Sequence, residues 1–128
     1  MPRPNVNAPA DSLELKLELP READAGSRMA AVLRVRNLGD RPIDLYLRGR
    51  TFTVDVIAQR TDGDTLWRRL DGEIIPAMIH HQRLVPKRSI AIPVAWTWTL
   101  GTGEYQLQAL LLTEGEPLPS NRVSLRLR

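Results

Sequence analysis

Apolar and polar residues alternate along almost the whole chain with a period of two. Leu13, Leu15, Leu17 and Leu19 are interleaved with Ser12, Glu14, Lys16 and Glu18, the pattern of a strand with one face buried and the other in water. The same alternation returns in Met29, Ala31, Leu33 and Val35, in Ile43, Leu45 and Leu47, and in Phe52, Val54 and Val56. It returns again in Ile90, Ile92, Val94, Trp96 and Trp98, in Tyr105, Leu107, Ala109 and Leu111, and in Val123, Leu125 and Leu127. No window sustains the i, i+3, i+4, i+7 spacing of an amphipathic helix free of breakers. The pattern predicts an all-β chain.

Turn chemistry falls where these runs stop. Asn37-Leu38-Gly39-Asp40-Arg41-Pro42 combines a capping amide, a glycine and a proline of fixed φ. Asp62-Gly63 and Asp71-Gly72 carry the short-range hairpin signal. Gly101-Thr102-Gly103 and Glu114-Gly115-Glu116-Pro117 separate the last three runs. About eight or nine short strands, with turns roughly every eight to twelve residues, predict an immunoglobulin-like β-sandwich closed by Greek-key connections. Pro93 interrupts an otherwise continuous strand and removes a ladder donor, which places that strand at a sheet edge or at a bulge.

A length of 128 residues suits one domain. Residues 1–11 read as a flexible, proline-containing leader and residues 12–128 as the single sandwich. There is no cysteine, so disulfides and thiolate metal sites are excluded. The net charge is +3, Lys16 and Lys87 are the only lysines, and acidic residues are interspersed among the arginines. That distribution lacks the clustered basic footprint of a nucleic-acid-binding protein. The longest mostly apolar run, Ser89–Gly103, is too short and too broken to span a membrane as a helix. The first ten residues have no apolar h-region, so cytoplasmic residence is expected, with a secreted or envelope-attached form if a preceding signal segment had been removed.

From about Met29 to Thr113 the order of features resembles the BsuPI family, the intracellular proteinase inhibitors of Bacillus. The matching elements are Asn37-Leu38-Gly39-Asp40-Arg41-Pro42-Ile43-Asp44-Leu45, Arg48-Gly49-Arg50-Thr51-Phe52-Thr53-Val54, Asp62-Gly63-Asp64-Thr65-Leu66-Trp67-Arg68, Leu84-Val85-Pro86, and a tryptophan strand leading into Gly103-Glu104-Tyr105. The chain departs from the family at Lys87, where a glycine usually follows the proline, at Thr102, where a proline is common, and at Phe52-Thr53-Val54, which stands for Tyr-Asp-Phe. The resemblance implies an immunoglobulin-like sandwich and, as in the founding members, inhibition of a subtilisin-like serine protease without any cofactor.

Catalytic and metal chemistry find little support. His80 and His81 are the only histidines, and neighbours on a strand point to opposite faces, so they cannot jointly bind a metal or pair with a nucleophile. None of Ser12, Ser27, Ser89, Ser120 and Ser124 sits in a nucleophile elbow. Asp62-Gly63-Asp64 and Asp71-Gly72-Glu73 lack the oxygen count of a calcium loop and are explained as turns. Trp96 and Trp98 share one strand face; they continue an apolar row, which favours the core over a platform for a sugar or peptide. Arg34 and Arg36, with Arg126 and Arg128, fit a solvated sheet face crossed by ion pairs.

The expected function is therefore non-catalytic protein binding. Leu70, Ile74, Ile75, Pro76, Ala77 and Met78 form an unusually apolar connection between strands, and Pro76 biases Ile75 towards the extended shape that a protease cleft accepts. In this reading Met78 or Leu70 fills the protease's primary pocket. The bland reading is that these residues cap one end of the sandwich. Gly115-Glu116-Pro117-Leu118-Pro119 is a competing loop, but Pro119 makes it a better stiff turn than a substrate mimic. The alternatives are a structural or adhesion module of an envelope assembly, or a carbohydrate-binding module.

Overall fold

Alternation of the kind described above becomes strand after strand in the computed structural model, which describes residues 12–60 and 62–128. The expected leader at residues 1–11 lies outside the described residues. The strands are β1 (Leu13–Glu18), β2 (Glu22–Ala23), β3 (Arg28–Asn37), β4 (Ile43–Arg48), β5 (Val54–Gln59), β6 (Thr65–Arg68), β7 (Ile79–Leu84), β8 (Ser89–Thr97), β9 (Gly103–Leu111) and β10 (Leu118–Leu127). No helix occurs among the described residues.

One sheet has the order β1-β3-β8, the other β2-β10-β9-β5-β6, and β4 and β7 form a two-stranded ribbon. The ribbon prolongs the β3–β8 pair beyond the turns on either side of it, since β3 leads into β4 and β7 into β8. It also swings across to the second sheet. Arg48 N donates to Leu112 O, Glu114 N donates to Tyr46 O, and Leu47 bridges to Thr113. The chain thus changes sheet between β3 and β5, between β6 and β8, and between β8 and β9, which is the Greek-key wiring of an immunoglobulin-like β-sandwich.

Inward-facing residues of both sheets fill the core. Met29, Ala31, Leu33 and Val35 of β3 meet Val54, Val56, Leu107, Ala109 and Leu111 of the opposite sheet, with Leu125 and Leu127 beside them. Asn37 ends the β3 row fully buried, and its amide is spent on the backbone. Nδ2 donates to Arg41 O (2.7 Å) and Leu84 O (3.0 Å), while Oδ1 accepts from Gly39 N (2.9 Å). The sequence marks this residue as a turn former; in the fold it also ties the β3–β4 turn to the end of β7. Tyr105 at the start of β9 donates its hydroxyl to Gly101 O (2.9 Å), the tyrosine corner of immunoglobulin-like domains.

The ten strands among the described residues exceed the expected eight or nine. β2 is a two-residue strand pairing in parallel with Arg126 and Leu127. β7 is the larger surprise, because it lacks an apolar row: only Leu84 among its residues is fully buried. Pro93 does lie on an edge strand, as expected, since β8 terminates its sheet. Trp98 N donates to Ser27 O and Asn37 N donates to Arg88 O, which fixes the even-numbered residues of β8 as those bonded to β3. Pro93 is odd-numbered, so its missing N–H removes no ladder bond.

Candidate protein-contact surface

The two sheets close differently at their two flanks. On one flank β1 packs against β10, and Asn121 Oδ1, at the bulge between Pro119 and Arg122, accepts from Leu17 N at 2.8 Å. On the other flank the edge strands β6 and β8 face each other across a gap filled by tryptophan. Trp96 of β8 and Trp98, just past its end, are 7% and 2% exposed, and their rings meet edge to face with centroids 5.2 Å apart. Trp67 of β6 packs against both, at 5.8 and 5.1 Å. The core reading of Trp96 and Trp98 holds, and Trp67, half-buried, joins them.

Arg69 ties this flank together. Its Nε donates to Ala95 O (3.2 Å) on β8 and its Nη1 to Val54 O (2.9 Å) on β5, so one side chain bridges the two sheets. Asp55, buried on β5, anchors the start of the connection that follows β6. Its Oδ2 accepts from Arg68 Nη1 (3.2 Å) and its Oδ1 from Leu70 N (3.1 Å). Above this lies an open cleft of about 630 Å³, whose walls include Trp67, Arg69, Asp71, Glu73, Trp96 and Thr97. The carboxylate of Asp55 and the guanidinium of Arg69 were not attached to any site by the sequence, because their partners lie on or beside other strands.

The segment expected to touch a partner divides in two. Leu70 is half-buried and lines the cleft with Ile74. Pro76 is half-buried close to Gly49, where a Cβ would approach its Cγ to 3.6 Å, and Met78 O accepts from Gly49 N at 2.8 Å. These anchor the connection to the β4 end, as capping requires. Ile74, Ile75 and Met78 instead turn outward, at 95, 46 and 50% exposure, and Ala77 is exposed beside them. Ile79, the first residue of β7, extends the same apolar patch. Residues 73–78 form no strand or helix. Asp71-Gly72 does not make a hairpin: β6 and β7 do not pair, and Gly72, at φ 78°, sends the chain to another sheet. The competing segment is partly strand, since Leu118 and Pro119 open β10 against Leu111 and Leu110.

The histidines behave as strand neighbours should. His80 Nδ1 lies 2.6 Å from Gly49 O, beneath the connection, whereas His81 Nε2 lies 2.8 Å from Asp44 Oδ1 on the outer face, with its ring 5.2 Å from that of Tyr46. Arg34 pairs with Glu18 at 2.8 Å, and Arg128 reaches Glu22 and Asp24 at 3.6 and 3.8 Å. The even mixing of charge expected from the sequence breaks down on one arm: between Glu73 and Glu104 there is no acidic residue, while Arg83, Lys87 and Arg88 are basic. Among the described residues no group of three His, Asp or Glu side chains is placed to hold a metal ion.

Fold and surface define an immunoglobulin-like β-sandwich with an apolar connection exposed at one end. No family model and no curated protein matches the chain. Among solved structures, it is similar to the CARDB domain of a Pyrococcus furiosus protein, described in complex with di-metal ions, at 15% identity and a TM-score of 0.55, covering 91% of this chain and 87% of that one. It is similar to the C-terminal domain of wzt at 10% identity and a TM-score of 0.56, covering 91% and 74%. A β-glucosidase from Erythrobacter marinus contains the same fold at 14% identity and a TM-score of 0.51, but 91% of this chain matches only 15% of that one. At such identities the likeness is one of fold.

Proposed function

We propose that this chain is a non-catalytic protein-binding domain whose contact surface is the Leu70–Met78 connection, and that its specific form is an inhibitor of a subtilisin-like serine protease. The observation that carries the reading is the outward apolar row of Ile74, Ile75 and Met78, on a segment anchored at both ends by Asp55 and Gly49. An anchored loop loses little conformational entropy on binding, and desolvating exposed isoleucine and methionine supplies the driving force. Ile74 at 95% exposure has no packing role to explain it.

The BsuPI resemblance supports the finer part. Lys87, where that family usually has glycine, adopts φ 64°, the left-handed conformation that glycine takes most readily. The recurrence of the fold as a small part of β-glucosidase chains fits a domain that acts as a module. The burial of Trp96 and Trp98 removes the sugar platform on which the carbohydrate-binding alternative depends.

The test is inhibition of a subtilisin-like protease by the purified domain and by an Ile75→Ser, Met78→Ser double variant. The parent is expected to inhibit and the folded double variant to lose at least tenfold, since two partly exposed apolar side chains give up about 1.5–3 kcal/mol of burial. A folded parent that does not inhibit removes the inhibitor reading for that protease. Equal inhibition by the double variant puts the contact surface elsewhere.

A further inference from the structure

Strand β7 is bonded on one side only. Its six residues pair with β4 in a single register, Ile43 with Leu84 through Arg48 with Ile79, with no bulge. The bond from Gly49 N to Met78 O sets the phase: His80, Gln82 and Leu84 direct their backbone groups to β4. The N–H and C=O groups of Ile79, His81 and Arg83 therefore point away from it, and no strand among the described residues lies beyond them. Such a row is a template for another strand.

The other edges carry devices against that. On β8, Pro93 supplies no outward donor, and the outward carbonyl of Ala95 is taken by Arg69. β6 is short and its register shifts opposite Ala58 and Gln59. On β1, Asn121 caps Leu17 N. β7 has neither proline nor bulge, and it continues directly from the exposed Met78.

Charge indicates the occupant. β7 and β8 lie within the acid-free stretch from Ile74 to Gly103, and the β7 edge carries His81 and Arg83. The nearest carboxylate across the ribbon, Asp44, sits opposite Arg83 and is engaged by His81 at 2.8 Å. In full antiparallel register a second β7 would set His81 against His81 and Arg83 against Ile79, with no carboxylate to meet either, so a second copy is disfavoured relative to an acidic strand. We propose that β7 accepts an extended, acidic segment of a protein partner as an added strand, its apolar end resting on Met78 and Ile79. This rests on the contact-surface reading above and extends it from a loop to a sheet edge. Backbone bonds supply register, and alternate side chains supply selectivity.

The experiment is a titration of the full ¹⁵N-labelled chain with a blocked hexapeptide alternating valine and glutamate, and with its valine–lysine counterpart. The glutamate peptide is expected to shift the Ile79, His81 and Arg83 amides saturably, to slow their hydrogen exchange, and to weaken with added salt. The lysine peptide is expected not to bind. Ile79→Pro deletes one outward donor and no bond to β4, so it should abolish binding with the fold intact by circular dichroism; Arg83→Glu should weaken binding about threefold to tenfold. Absence of binding, equal binding of the lysine peptide, or unshifted β7 amides overturns the proposal. Shifts confined to Ile74–Met78 overturn strand addition and leave the contact loop standing. Full β7 shifts in the Ile75→Ser, Met78→Ser variant uphold strand addition and remove the loop. Self-association of the chain alone, with the same amides protected, makes the occupant a second copy and overturns the acidic segment.

Discussion

Trp96 and Trp98, which continue the inward apolar row of β8, bury both of their indole N–H groups without a hydrogen-bond partner. Trp98→Ala and Trp98→Phe both remove the unpaired donor, whose burial carries a penalty of about 1–3 kcal/mol. The alanine change also opens a large cavity and should cost about 3–5 kcal/mol, whereas the phenylalanine change keeps most of the ring packing and should cost much less. Denaturant melts of both variants check this; a phenylalanine loss as large as the alanine loss would mean that relief of the donor does not offset the smaller ring. Asn37 marks a limit of what the sequence conveys. Its residue type announces a turn, but its bond to Leu84 O depends on β7, which no local pattern marks.

Among the elements, strands with one apolar face were readable and β7 was not. Ile79, His81 and Arg83 lie on its outer side and His80 and Gln82 are only half-buried, so polar residues occupy both rows and the alternation signal cancels. The two Asp-Gly pairs divide for a similar reason. Asp62-Gly63 joins β5 to its neighbour β6, whereas Asp71-Gly72 hands the chain to a different sheet, and the dipeptide alone does not distinguish these. Pro93 was interpretable because its chemistry is independent of partners. Its outward position predicts that Pro93→Thr leaves the melting temperature nearly unchanged while giving β8 a free edge donor. Static light scattering on concentrated samples should then show more association than in the parent, and unchanged scattering would mean that Arg69 alone protects the edge.

For the whole molecule, the sandwich was legible, and of the proposed contact surface only its apolar composition. Leu70–Met78 stood out by composition, but the division between anchors (Leu70, Pro76) and outward residues (Ile74, Ile75, Met78) depends on Asp55 and Gly49, which lie elsewhere in the chain. The same is true of Arg69, whose two bonds hold the sheets together on the flank of β6 and β8. Arg69→Met should cost about 1–3 kcal/mol, the range for a hydrogen-bonded charged donor. Detecting that loosening is straightforward, since the chain's three tryptophans all sit in the one cluster beside Arg69. Intrinsic fluorescence of this protein is therefore a local reporter: it registers the breathing of one flank and is blind to fraying where β1 meets β10. In Arg69→Met the emission should redden and become easier to quench with acrylamide before the β-sheet signal is lost, and a single shared transition would show the flank to open only with the rest. Closely packed, mutually tilted indoles also couple excitonically, so far-ultraviolet dichroism of this chain carries an aromatic band on top of its backbone signal, and secondary-structure content read from that spectrum has to be corrected for it.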